Sequence, residues 1–538
     1  MHMAIPCKSF YALDKFDELA TILSSEGWER KQNESDGVDL IFTNLAKVDF
    51  KSLSPDVLVN HFRGSQHLSN KSFLAYHVST AGINTKMMPP QWSAAFEDLL
   101  QLVGFVLEYS VYVSCQRLVR SNSSSISGAV CENVEFARIQ EYRRIFNVLQ
   151  QDNEWRNYDC LMRINTMLSH VSKDKKCIDA VPLKAELCND SNTWKAQWGG
   201  EQNVWIVKPV GLSCGENITV VKGIKDVLAM AQSMKYKCVI QKYIERPLLI
   251  RGNRKFDIRQ WILLTNVNPI TIYGFSECYL RLSAEEYSLE EKSLVHPQVH
   301  LCNHAIQRRG ASYRDTNSND SSGLNCETMM SQEQFDIELK SILAHDNTDT
   351  NYNNKSVAIN ASPFNTIIKP KIKQIAIDVI KSVRDKLFKV GNGFEWLGLD
   401  LMVIDGTLEV VLLEVNVSPD VSHSTPVTSR LVTPSFVDLI RLVVDEDGSG
   451  RCTEGLVMGS RKKGCDNFST RNTEESQPYW EEWYTGEEEN YLQLRDFSKA
   501  KEFKCTLSST YLPKKEEYAT KVMSMFIGDT AVEDEDEM

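Results

Sequence analysis

Three oxygen-bearing side chains stand inside runs that are otherwise apolar. Asp400 lies in WLGLDLMVI, and Glu414 and Asn416 lie in VVLLEVN. Side chains two apart on a strand project to one face, so Glu414 and Asn416 point together, and Asp400 on a neighbouring strand can join them. Two carboxylates and an amide oxygen on a rigid sheet suit a hard cation, magnesium above all, which takes carboxylate, amide and phosphate oxygens while keeping several waters. The same pattern also fits Glu414 paired with a buried Arg or Lys, with Asn416 only starting the turn before Ser418-Pro419.

A second set lies in KFDIRQW, where Lys255, Asp257 and Arg259 share one face of a strand that continues into apolar Trp261–Leu264. Burial that deep favours a lined cleft over an open sheet face, and mixed charge there would hold phosphate and orient a ribose or amine. In WIVKPVGLSCGENITVV a strand delivers Lys208 to a turn of small residues, an arrangement that can grip a phosphate while loop N–H groups cover the rest. The chain has no Walker A motif. VIQKYIERP is a buried strand running into a loop, a type of segment whose backbone can pair with an adenine edge. In YLRLS, Tyr279 and Arg281 share a face, and Arg281 suits bidentate contact with a carboxylate or phosphate, or equally a structural ion pair. His300 and Asn303 in VHLCNHAIQ fit the lining of the same cleft, although a satisfied core histidine fits His300 as well.

These residues need a sheet to hold them. From Asn203 onward, strand-like runs alternate with helical ones: NVWIVKP, NITVV, a helix over Ile224–Lys235, CVIQKYI, KFDIRQWILLT and PITIYGFSECYLRLS. A helix is expected over Ile372–Val390, then strands at EWLGLDLMVI and LEVVLLEVN. The class is α+β, with a core over 201–446. Residues 1–200 form an N-terminal α/β lobe with a serine-rich break at SNSSSISG. The Asn-, Asp- and Ser-dense stretch 308–370 reads as a flexible insertion. Residues 447–538 form an acidic C-terminal extension ending in AVEDEDEM, with one aromatic segment at YWEEWYTGEEENY.

Composition sets limits. At 538 residues the chain suits several packed domains and easily buries a site. It is 42% hydrophobic and 25% charged, which excludes wholesale disorder. Net charge is −12, which argues against nucleic acid as a partner and requires a local basic patch, at Arg308-Arg309 or Arg461-Lys462-Lys463, to meet any anionic one. The 14 cysteines show no C-x-x-C pair or zinc spacing, so reduced thiols in cores are expected. The first twenty residues lack a secretory pattern, and the most apolar run, Leu99–Leu107, is too short to span a bilayer. A cytosolic protein, with no membrane partner, is the expectation.

Taken in order, WIVKP, QKYIERPLLI, KFDIRQW, YLRLS, HLCNHAIQ, GLDLMVI and LLEVNVSPD followed by STPVTSRL resemble the tubulin tyrosine ligase-like family. VNHFRGSQHLSNK resembles its N-terminal region more loosely. QKYIERPLLI, HLCN and STPVTSRLVTPSFVDLIRLVVDED are most similar to the glycylase branch. The resemblance implies an ATP-grasp core using ATP and Mg2+. It implies that Lys208 contacts the nucleotide phosphates, that Gln241, Lys242, Tyr243 and Ile244 line the adenine, and that Lys255 and Asp257 complete the nucleotide site. Asp400, Glu414 and Asn416 would hold the metal, with Glu414 also catalytic, and Arg259 and Arg281 would hold the acceptor carboxylate and its acyl phosphate.

The implied reaction joins free glycine to a glutamate side chain in the acidic C-terminal tails of tubulin in microtubules, in the cytoplasmic cytoskeleton of a cilium or flagellum axoneme. Glutamate or tyrosine transfer is the alternative enzyme reading. The loop after Lys208 departs from the family, carrying Cys214, Glu216 and Asn217 where basic and glycine residues are usual. An acid near ATP phosphates is unfavourable, so a non-catalytic microtubule-binding protein is a third reading.

Overall fold

The computed structural model describes residues 8–81, 87–93, 99–121, 126–150, 164–165, 167–171, 202–212, 215–233, 237–310, 328–345, 362–390, 392–444 and 479–487. Three sheets organise them. Strands β1 (Ser9–Ala12), β2 (Glu29–Arg30), β3 (Leu40–Phe42) and β4 (Leu58–Val59) form the first, in the order β2-β1-β3-β4 with every pairing parallel.

The second contains β5 (Gln91–Ser93), β6 (Val204–Pro209), β7 (Thr219–Lys222) and β8 (Cys238–Lys242), in the antiparallel order β5-β8-β6-β7. Helices Leu99–Ser121 and Ile126–Gln150 back this sheet through one core that includes Val106, Cys115, Ile139, Tyr142, Trp205 and Ile240. Among the described residues no helix is long and apolar enough to cross a membrane.

The third sheet has eight strands: β9 (Leu249–Ile250), β10 (Arg254–Val267), β11 (Ile270–Phe275), β12 (Tyr279–Glu286), β13 (Met329–Ser331), β14 (Glu395–Val403), β15 (Val410–Asn416) and β16 (Trp480–Thr485). β10 is its spine. On one edge, the first half of β10 pairs with β12 and the second half with β11. On the other edge it pairs with β14, which pairs in turn with β15, and all these pairings are antiparallel.

Period-two alternation divides the faces of this sheet. Phe256, Ile258, Ile262 and Leu264 of β10, with Leu397, Leu399 and Leu401 of β14, pack on helix Lys369–Val383 through Ile372, Ile375, Val379 and Ile380. The opposite face is itself split along its length. Trp261, Leu263 and Trp396 pack with Phe10, Leu19 and helix Pro426–Val443, whereas Lys255, Asp257 and Asp400, further along the same strands, turn toward a cavity. That helix begins sharply because Thr425 and Thr428 form a reciprocal capping box and Pro426 occupies its first turn.

The mixed α+β class is observed. Three expected boundaries are corrected. β5, from within 1–200, pairs with β8, so position 200 does not separate a lobe from the core. β16, from beyond 446, pairs with β11; Trp480 and Trp483 are buried, and Trp483 lies against Gly274. Inside 308–370, β13 and helix Gln332–His345 are core elements. Phe335, Leu339 and Leu343 recur at helical spacing and are fully buried, a pattern concealed by the polar flanks. The helix expected over Ile372–Val390 runs Lys369–Val383, after one π-helical turn at Phe364–Ile368. Cys214, Arg461-Lys462-Lys463, the stretches 311–327 and 346–361, and the acidic end lie outside the described residues.

Candidate active site

Between the second and third sheets lies an open cavity. Ten of the expected site residues line it: Lys208, Gln241, Lys242, Tyr243, Ile244, Lys255, Asp257, Arg281, Asp400 and Glu414. Two small apolar clusters flank it. One contains Ile206, Tyr243 and Leu301, and the other Ile244, Met402 and, partly buried, Leu413. Flat apolar walls either side of a slot are what an aromatic base requires.

The charged floor follows from strand register. Asp257 is opposite Arg281 across β10 and β12, Arg259 is opposite Asp400 across β10 and β14, and Asp400 is opposite Glu414 across β14 and β15. Residues directly opposite on antiparallel strands share a face, so these pairings create one continuous row. Arg281 grips Asp257 with two hydrogen bonds, Nε to Oδ1 at 2.6 Å and Nη2 to Oδ2 at 2.8 Å, and its Nη2 also donates to Asp400 Oδ2 at 2.7 Å. Arg259 donates to Asp400 from Nε at 2.5 Å and from Nη2 at 3.2 Å. Burial raises the Asp400 carboxyl, but the two guanidiniums outweigh it and hold the group well below the usual carboxylate range.

Gly398 makes this possible. A Cβ there would stand 3.2 Å from Arg259 Cδ and 3.1 Å from Pro419 Cβ. Arg259 is not part of the cavity lining, and its guanidinium bonds Asp400. Asn416 is also off the lining, and its amide donates to Gly398 O at 3.4 Å. A bulge between β14 and β15 lets the successive residues Leu413 and Glu414 both line the cavity, which simple alternation does not predict.

Two lysines provide positive charge above this floor. Lys208, at the end of β6, is 7% exposed, and among the described residues no hydrogen-bond or ion-pair partner reaches its ammonium. Burial lowers its pKa from 10.5 to about 8, with Glu414, Asp400 and Asp257 pulling the other way. Lys255 is 4% exposed, and burial likewise lowers it to about 8. Its Nζ donates to Tyr243 Oη at 2.7 Å.

Lys242 behaves differently. Its ammonium is occupied by Val204 O at 2.8 Å and Glu245 Oε1 at 2.5 Å, while the Glu245 carboxylate accepts from the backbone N–H groups of Gln202 and Val204. The side chain is therefore a structural clasp at the end of β8. Gln241 reaches Gln91 Oε1 at 3.0 Å. His300 is a satisfied wall histidine, bonded at both nitrogens.

Sequence reasoning missed Lys71, Met402, Leu413 and the role of Gly215. Lys71 opens helix Lys71–Thr80, which Asn70 caps by accepting from Ser72 N and Phe73 N; its Nζ is 3.5 Å from Glu414 Oε2 and donates to Leu212 O. Its position at the end of VNHFRGSQHLSNK was the available signal. Gly215 has φ +78°, and a Cβ there would lie 2.9 Å from both Asn303 Oδ1 and Ile306 Cγ1, so only glycine fits. In the same turn Glu216 is exposed and is not part of the cavity lining.

The donors fit a hard cation. Asp400 retains lone-pair capacity beyond its three guanidinium bonds, Glu414 is partly exposed with Lys71 at 3.5 Å and Lys208 within electrostatic reach, and Asn416 keeps its amide oxygen unused by the bond to Gly398. Among the described residues no three His, Cys, Asp or Glu side chains cluster at metal-binding geometry. Such a cation would be shared with waters and phosphate oxygens, the habit of magnesium.

The cavity lies between two antiparallel sheets, with buried lysines at one wall and carboxylates across the floor, a charge pattern that suits an anionic ligand together with a cation. The model of the Tubulin-tyrosine ligase family matches residues 133–452, more than half of the chain, and the chain belongs to that family. Within it, the chain is similar to Tubulin glycylase 3D of Tetrahymena thermophila, 39% identical over 246 residues, which are 46% of this chain and 21% of that protein. It is 32% identical over 261 residues to Protein monoglycylase TTLL8 of Mus musculus, covering 48% of this chain and 28% of the relative. Tubulin monoglycylase TTLL3 of Homo sapiens is likewise 32% identical over 261 residues, covering 48% and 31%. The matches thus span between about a fifth and a third of these relatives' length.

Proposed function

We propose that this chain is an ATP- and magnesium-dependent ligase with an ATP-grasp core that joins glycine, through an isopeptide bond, to a glutamate side chain of tubulin in microtubules. The observation that carries the reading is the row Arg281, Asp257, Asp400 and Glu414 beneath two buried lysines in one cavity, with Arg259 holding Asp400 from behind the lining. Relatives named as glycylases support glycine as donor and tubulin as acceptor. A cytoskeletal location, in the axoneme of a cilium or flagellum, accompanies that substrate.

ATP would transfer its terminal phosphoryl group to a glutamate carboxylate, releasing ADP, and the glycine amine would then displace phosphate from the acyl phosphate and lose a proton to leave the isopeptide; magnesium, when bound, would neutralise phosphate charge. The chain's own residues do the positioning. The apolar walls at Ile206, Tyr243, Ile244 and Met402 hold the base, with the backbone of β8 at its edge. Lys208 and Lys255 meet the phosphates, Asp257 completes the site, and Asp400, Glu414 and Asn416 hold the metal. Arg281, fixed by two carboxylates, presents its remaining guanidinium edge to the acceptor carboxylate. Arg259 acts through Asp400. Glu216 is exposed, which supports nucleotide binding beside the loop after Lys208.

The test is transfer of radiolabelled glycine, with glutamate and tyrosine in parallel, onto microtubules with Mg-ATP, comparing wild type with Glu414→Gln. Glycine incorporation abolished by the substitution is the expected result. Incorporation of glutamate or tyrosine alone refutes the donor, and no transfer with tight microtubule binding refutes the enzyme.

A further inference from the structure

Lys255 is fixed at its charged end by a relay that reaches back to a backbone carbonyl. The Ser293 carbonyl can only accept a hydrogen bond, so His300 Nε2, 3.1 Å away, must carry a proton. Burial, reinforced by the Lys255 charge, lowers the His300 imidazole to about 4, so the ring is neutral and Nδ1 has a lone pair. The Tyr243 hydroxyl, 2.8 Å from Nδ1, is then the donor. With its proton committed, Tyr243 Oη presents a lone pair to Lys255 Nζ at 2.7 Å, and the same ammonium sits 4.1 Å from the Tyr243 ring centroid.

The Tyr287 hydroxyl also lies within reach of Tyr243 but gives its own proton to Glu245 O at 2.8 Å; the direction through His300 is the one that ends at a charge facing the cavity. A free lysine side chain carries rotamer entropy that an incoming phosphate would otherwise have to overcome. Ordering it beforehand is the preorganisation that strengthens binding and transition-state contacts. We propose that Tyr243 and His300 are positioning residues that hold Lys255 aimed at the phosphates of the bound nucleotide. This rests on the ATP reading above.

The experiment is binding of a fluorescent ATP analogue to the full chain. Tyr243→Phe keeps the buried ring and removes the hydroxyl. His300→Gln keeps a donor near Ser293 but no acceptor at the Nδ1 position, whereas His300→Asn places its amide oxygen where Nδ1 stands. Tyr243→Phe and His300→Gln are each expected to weaken binding about tenfold, since each removes one link to a charged group. His300→Asn should recover most of the loss, and the Tyr243→Phe/His300→Gln double variant should be no weaker than either single one, because both break the same chain. Wild-type affinity in Tyr243→Phe, with affinity lost in Lys255→Met, would overturn the relay and leave the ATP reading intact. Additive losses, or no recovery in His300→Asn, would also overturn it. A wild-type chain that binds no nucleotide overturns the ATP reading itself.

Discussion

Replacing Lys208 with Met should make the nucleotide-free protein more stable at neutral pH while removing its affinity for ATP. An unfolded lysine keeps its proton up to 10.5, but the folded Lys208 releases it near 8. Each factor of ten corresponds to about 1.4 kcal/mol, so holding the ammonium in this cavity at pH 7 costs the fold up to about 3 kcal/mol. Methionine keeps the stem's length and volume without the charge. The sign with pH follows directly. Between about 8 and 10.5 the unfolded chain binds more protons than the folded one, so wild-type stability rises relative to the variant through that window. Guanidinium unfolding of both proteins at pH 7 and pH 9.5, each with and without Mg-ATP, measures all of this. The expected pattern is a more stable variant at pH 7, a smaller gap at pH 9.5, and nucleotide stabilisation of wild type alone. A variant that unfolds earlier than wild type at pH 7, or is stabilised equally by ATP, would refute the reasoning.

Arg281→Ala leaves Asp257 buried without its bidentate partner and strips one of two guanidiniums from Asp400. A loss of about 3–5 kcal/mol is expected in chemical denaturation, the usual cost of orphaning a buried charge. Gly215→Ala forces a Cβ against Asn303 and Ile306 at a positive φ, so nucleotide affinity should fall, with stability dropping about 1–3 kcal/mol; calorimetric titration beside thermal melts would reveal an innocuous substitution. Trp483→Ala opens a hole beneath β16 and should cost about 3–5 kcal/mol. Stability equal to wild type would show that the segment is dispensable to the sheet.

The charged residues of the site were legible because each contradicts its surroundings. A carboxylate in WLGLDLMVI or VVLLEVN, and alternating charges in KFDIRQW, have no place in a buried strand unless something meets them. Which partner meets which was not legible. Asp257 pairs with Arg281, and Arg259 with Asp400, because β10 takes β12 on one side and β14 on the other at one particular register. Neither neighbour is predictable from local alternation. The same holds for Lys242, which lines the cavity while its ammonium is committed to Glu245, and for Lys71, supplied by a helix more than three hundred residues from the carboxylate it faces.

By itself, then, the sequence determined the strand character of β10, β11, β12, β14 and β15, the identity of most cavity-lining charges and the family pattern, since these depend on local periodicity and on charges standing in apolar runs. Only the tertiary structure decided the rest. It drew β5, β13 and β16 from outside the expected core into the sheets, because backbone hydrogen bonding at a sheet edge accepts a strand from any part of the chain. It also divided the cationic side chains into those neutralised by partners and those left facing the cavity, a division that depends on distances across strands and therefore exists only once the strands have paired.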